Sequence, residues 1–125
     1  MILKLEAIES ISKKLELSYT GIEQDWDIEM ANPDRLKEFL SYLKNTELDE
    51  SEKIAMMSLI IASFEDLLNE DETNESQCEL WKKIKIMLES DFDLFSDIIT
   101  YWSLFDEKEK ANVFAVTHYI RTVKK

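Results

Sequence analysis

The sequence predicts an all-α fold, a single-domain bundle (residues 1–125) of five to six helices around one central apolar helix at about residues 50–69. Three observations carry this expectation. One glycine and one proline in 125 residues leave little material for tight turns or hairpins. Leu, Ile, Lys, Glu and Met recur at helical spacing. The stretch from Ile54 to Leu68 is apolar nearly all round, the pattern of a helix enclosed by others.

Leu5, Ile8, Ile11 and Leu15 predict a first helix over about residues 3–15. LSYTGIEQDWDIEMA, residues 17–31, has no steady period and reads as a loop with room for a short strand or turn. Asn32 and Pro33 then mark a helix start. The Asn side chain accepts an orphan backbone N–H, and proline at the first position gives up a donor that the helix never uses. This second helix runs to about Lys44, with Leu36, Phe39, Leu40 and Leu43 inward.

DESE, residues 49–52, has capping-box spacing and introduces the central helix. Ile54, Met57, Ile61, Phe64 and Leu68 line one face of it. Met56, Leu59, Ile60 and Leu67 cover most of the rest, leaving a narrow polar stripe at Ser58 and Glu65. EDETNESQ, residues 70–77, reads as an exposed connection. A fourth helix follows to about Ser90, burying Leu80, Ile84, Met87 and Leu88 with Trp81 beside them. Asp91 is placed to cap a fifth, whose apolar positions are Phe92, Phe95, Ile98, Ile99 and Trp102. Trp102 lies on that stripe, and Tyr101, about 100° away, lies at its edge. A last helix is predicted over about residues 107–123, burying Val113, Val116 and Ile120, with Lys124 and Lys125 at its negative end.

A chain of this length buries roughly two thirds of the surface it exposes when unfolded, so it folds without a staple. A single cysteine, Cys78, makes no internal disulfide; it reads as a small packing residue in a reduced, cytoplasmic protein. Glu6 and Glu9 fall where a signal peptide would be apolar, so no secretion signal is expected. The longest nearly apolar stretch, Ile54 to Phe64, falls short of the roughly 20 residues that span a bilayer.

Charge narrows the partners. The net charge is -12, and the stretch from Glu47 to Glu79 holds eleven acids against one base, Lys53. Glu23, Asp25, Asp27 and Glu29 form a second acidic knot around Trp26. Such a field repels nucleic acid and anionic membranes and attracts basic proteins.

No constellation points to catalysis. The one histidine, His118, cannot supply a His-bearing metal motif and reads as structural or merely exposed. The alternating acids of residues 25–36 miss the EF-hand pattern, with Met30 at the turn position and Leu36 where a bidentate Glu belongs. There is no Gly-rich phosphate loop. Pairs of carboxylates are too frequent here to single one out, and His118, forty residues beyond Cys78, is the one base offered to a nucleophile. The expectation is a non-enzymatic protein with no metal and no cofactor.

What remains is an acidic, aromatic-containing surface, which either solvates the fold or docks a basic protein. The candidate partner-binding residues are Asp25, Trp26, Asp27 and Glu29 in the knot; Glu65, Asp66, Glu70, Asp71, Glu72 and Glu75 in the acidic segment; and Tyr101. Trp26 stays open between two readings: a docking anchor, or a core ring with its acids turned outward.

Three stretches, IIASFEDLLN (60–69), LWKKIKIMLESDFDLFSDIITYWSLFDEKE (80–109) and VFAVTHYIR (113–121), carry a family likeness. They resemble small acidic helical immunity proteins of bacterial polymorphic toxin systems, including contact-dependent growth inhibition, over roughly residues 33–122. The most distinctive pieces are D-F-D-L (Asp91 to Leu94), Y-W-S (Tyr101 to Ser103) and V-T-x-x-I-R (Val116, Thr117, Ile120, Arg121). The resemblance implies a cytoplasmic antidote that binds a cognate toxin domain as a monomer in a 1:1 complex. Many such toxins are nucleases with basic clefts, to which an acidic inhibitor is suited. A second class is a helical adaptor that binds a partner, or itself, through a groove near Trp81, Tyr101 and Trp102.

Overall fold

Capping, burial and a few long-range hydrogen bonds decide where each helix begins and ends. The computed structural model describes residues 3–21, 25–70, 75–109 and 112–125, with Glu75 described by its backbone alone. Among them the fold is an all-α bundle with no strand. The α-helices are α1 (Leu5–Lys14), α2 (Trp26–Met30), α3 (Leu36–Asn45), α4 (Glu50–Glu70), α5 (Glu75–Ser90), α6 (Ser96–Ser103) and α7 (Thr117–Ile120), and a 3-10 turn, Pro33–Arg35, leads into α3. The chain gathers into two compact units, divided within α4 between Ser63 and Phe64.

In the unit ending at Ser63, α1 turns Ala7 and Ile11 inward and carries Lys13 and Lys14 in its last turn, where they meet the negative end of the helix. The Asn32 side chain accepts the Asp34 N–H at 3.0 Å, as the Asn-Pro start requires, but the first turn is 3-10. Arg35 ties this start to the end of α1. Its Nη2 donates to the Leu15 carbonyl at 2.7 Å, its guanidinium forks onto Glu38, and its Cζ lies 5.2 Å from the Phe39 ring centroid. Leu36, Phe39, Leu40 and Leu43 are buried, as their spacing predicts.

The capping box of α4 closes in both directions. Glu52 N–H donates to Asp49 Oδ1 at 2.8 Å, and Asp49 N–H donates to Glu52 Oε1 at 3.3 Å. The other Glu52 oxygen accepts the Ser10 hydroxyl at 3.1 Å, linking α4 to α1. From Ala55 to Phe64 every residue is buried. Ser58 therefore forms no exposed stripe. Ser63 shows how a buried hydroxyl is tolerated: it donates to the Leu59 carbonyl at 2.8 Å and accepts the Asn32 N–H at 3.0 Å.

In the unit beginning at Phe64, α5 already includes Ser76 and Gln77, and Gln77 is buried, so the exposed connection expected over residues 70–77 does not extend to these two; residues 71–74 lie outside those described. Leu80, Trp81, Ile84 and Leu88 are buried and Met87 is half-buried. Asp91 does not cap the next helix. Residues 91–95 form turns in which the Asp91 carbonyl accepts the Phe95 N–H at 3.1 Å, and α6 begins at Ser96 without a side-chain cap. Burial of Phe95 satisfies the apolar spacing through a turn, so the periodicity continued where the helix did not.

The largest departure is the last helix. Among the described residues of the span expected to be helical, 107–123, the α-helical part is Thr117–Ile120. Leu104 ends α6 in the left-handed conformation, φ 46° and ψ 50°, and among the described residues turns follow at 105–106 and precede α7 at 115–116. The reason is tertiary: the N–H groups of Ala115 and Val116 are taken by a carboxylate of α4 rather than by a preceding helical turn.

Candidate functional site

The acidic knot is organised by α2. Asp25 precedes the helix, and its N–H donates to Glu29 Oε2 at 3.0 Å, while Glu29 N–H returns to the Asp25 carbonyl at 2.8 Å. Trp26 is 3% exposed, and its indole Nε1–H donates to the buried Ser12 hydroxyl at 2.9 Å. Of the two readings left open for Trp26, the ring is a core element and is not presented at the surface. Asp25 and Glu29 are exposed and Asp27 is half-buried. Burial pushes the Asp27 carboxyl above its ordinary value, backbone N–H groups of Ile28 and Asp27 pull it back in part, and the charge of Asp25 adds to the rise.

At the end of α4 the acids divide by role. Glu65 is occupied within the fold: Oε1 accepts the Val116 N–H at 2.8 Å, and Oε2 accepts the Ala115 N–H at 3.3 Å and the Asn69 amide at 3.0 Å. Asp66 is half-buried, and burial, then the charge of Glu65, raises its carboxyl. Glu70 is exposed. Asp71, Glu72 and the Glu75 side chain lie outside the described residues. The candidates thus divide by role within each unit. Asp25, Asp27 and Glu29 gather at α2 and its N-cap, Asp66 and Glu70 share one end of α4, and Trp26 and Glu65 hold the structure together.

Around Tyr101 the residues form a rigid cluster. Tyr101 is 41% exposed; its ring meets Trp102 edge-on at 5.3 Å and stacks with Phe114 at 6.2 Å. Trp102 is buried, with Phe114 at 4.6 Å, and its indole N–H has no hydrogen-bond partner among the described residues. Trp81 is buried as well, in a second cluster with Phe64 and Tyr119. Of the three residues expected to line an adaptor groove, Tyr101 alone is at the surface.

The V-T-x-x-I-R stretch is a lock. Val116, Thr117 and Ile120 are fully buried. Thr117 Oγ1 accepts the Phe114 N–H at 3.1 Å and donates to the Trp102 carbonyl at 2.8 Å. Arg121 donates to the carbonyls of Ser103, Leu104 and Glu107 at 2.7, 2.6 and 3.0 Å, satisfying acceptors left over where α6 stops. The spacing of Thr117 and Arg121, one helical turn apart, was the available signal for a shared target.

Sequence reasoning passed over Phe105, which is 64% exposed, and Ile86, equally exposed on α5. His118 is exposed, and so is Cys78, on a solvent-facing position of α5 rather than the small packing residue that its type suggested. Among the described residues no group of three or more His, Cys, Asp or Glu is arranged to hold a metal ion, and no helix is long and apolar enough to cross a membrane. Compared with protein-family models, with curated proteins and with solved structures, the chain gives no match.

Proposed function

We propose that the protein is a cytoplasmic immunity protein that binds a cognate basic toxin domain, a nuclease by the resemblance, and neutralises it as a 1:1 complex without chemistry of its own. The observation that carries the reading is the state of its carboxylates. Among the described residues, ion pairs engage Glu52, Glu38, Glu79 and Asp93, and none engages Asp25 or Glu70, which are exposed. Exposed carboxylates without basic neighbours are free to meet a partner's lysines and arginines. Their summed field raises the encounter rate with a basic domain.

The test is capture, with this protein as bait, from cells expressing its genomic neighbourhood, followed by titration of the retained domain at low and high salt. One basic domain, bound 1:1, losing its activity and associating more slowly as salt rises, is the expected result. Failure to bind or neutralise the product of the adjacent upstream reading frame overturns the proposal. Salt-independent binding of a neutral partner would favour a helical adaptor instead.

A further inference from the structure

We infer that the turn Leu104–Glu107 is a pre-organised docking anchor that presents Phe105, four residues beyond the exposed Tyr101, to an arginine- or lysine-bearing segment of another protein. The inference deepens the binding function proposed above, and rests on it for the partner being a basic polypeptide.

The geometry of the turn is the first argument. Glu107 N–H donates to the Leu104 carbonyl at 2.8 Å, so Phe105 and Asp106 are the two central residues of a β-turn, and both are exposed. Leu104 enters it with φ 46°, a conformation that glycine adopts freely and leucine does not. The conformation persists because Arg121 holds both ends: its Nη2 donates to the Leu104 and Glu107 carbonyls. A strained turn, clamped from inside the fold and carrying phenylalanine rather than a polar residue at its corner, is costly for a mere connection. Strain of this kind gathers at sites that bind.

The second argument is that the neighbouring aromatic is equally fixed. Tyr101 is held by Trp102 and Phe114, so its ring loses little freedom on meeting a partner, and the clamped turn fixes the backbone that carries Phe105, which is how pre-organisation raises affinity.

Charge selects the occupant. Asp97 lies one helical turn before Tyr101 on the same face of α6, Asp106 follows Phe105, and both carboxylates are exposed and outside the ion pairs of the described residues. Aromatic faces beside carboxylates suit a guanidinium or ammonium group through cation–π and charge-assisted contacts. A second copy of the chain is the poorer fit, because it would bring a further -12 of like charge.

The experiment titrates the isotope-labelled full chain with a hexa-arginine peptide, with hexaglutamate as control, while the ring resonances of Tyr101 and Phe105 and all amides are followed. Saturable shifts centred on residues 97–107 are expected with hexa-arginine alone. Phe105→Ser should weaken binding about tenfold, the loss typical of one anchor, and Asp97→Lys should weaken it independently. Because Phe105 is largely exposed, the serine variant should keep the wild-type circular dichroism and melting temperature. Shifts confined to residues 25–29 or 65–79, or unchanged affinity in Phe105→Ser, would overturn the inference. So would self-association in sedimentation velocity that Phe105→Ser abolishes. Equal capture of the adjacent-frame protein by wild type and Phe105→Ser would sink the anchor and leave the immunity reading standing; docking of hexa-arginine at Phe105 with no toxin captured would do the reverse.

Discussion

The Glu65 carboxylate and the backbone N–H of Val116, 51 positions apart in sequence, are hydrogen-bonded at 2.8 Å. With the Ala115 N–H on its other oxygen, Glu65 supplies to the start of α7 the acceptors that a preceding helical turn would otherwise provide. An acid that composition assigns to a docking face is thereby committed to the fold.

Glu65→Ala should lower stability by on the order of 2 kcal/mol, since it leaves two part-buried donors without a charged acceptor. Glu65→Gln, which keeps one acceptor oxygen, should cost about half as much. Urea midpoints at neutral pH, with amide exchange at Ala115 and Val116, would check this. A variant that weakens partner binding but leaves both amides protected would contradict it.

Ser12→Ala should cost roughly 1–3 kcal/mol, because the buried Trp26 indole N–H loses its acceptor. Trp26→Phe removes the other partner, and the double variant should cost less than the two single changes added together. Thermal or chemical denaturation of the four proteins closes that cycle; strict additivity would mean the bond contributes nothing.

Arg121→Lys should destabilise the protein by about 1–3 kcal/mol and loosen the turn after α6. A single ammonium cannot hold the Ser103, Leu104 and Glu107 carbonyls with the same fork. Faster hydrogen exchange at the Glu107 amide, beyond what the global loss of stability accounts for, is the expected readout.

Acid should act on the carboxylates with opposite signs. Burial raises Asp27 and Asp66 above 3.8, so the folded state holds their protons more tightly than the unfolded state. Each therefore costs stability at neutral pH, and that cost fades as pH falls through the raised folded value towards 3.8. The hydrogen bond from Arg35 lowers Glu38 below 4.5, so its contribution is present above 4.5 and is lost as pH falls through the depressed folded value. Asp27→Asn should raise the melting temperature near neutral pH, with the gain shrinking as pH falls through the raised folded value towards 3.8. A gain that does not change with pH would point to packing rather than charge.

Periodicity and caps are local, and they carried most of the helices. The apolar rows of α3 and α5, the Asn32 cap and the Asp49–Glu52 box involve residues a turn or two apart, so neighbouring side chains suffice to specify them. The same logic misled between residues 91 and 123. Phe92, Phe95, Val113 and Val116 keep a helical spacing, yet turns and long-range bonds satisfy it. The candidate site was legible mainly as charge. Carboxylates that solvate, that cap and that could meet a partner are identical letters in a sequence, and Glu65 differs from Glu70 through what lies opposite it.

The all-α class, the apolar α4 and the acidic surplus follow from composition and short-range spacing, which any compact arrangement of this chain has to respect. The burial of Trp26 against Ser12, the truncation of α7 by Glu65 and the Arg121 clamp that turns Phe105 outward do not follow. Each depends on a hydrogen-bond partner 14 or more positions away, brought within reach by packing rather than by its place in the sequence.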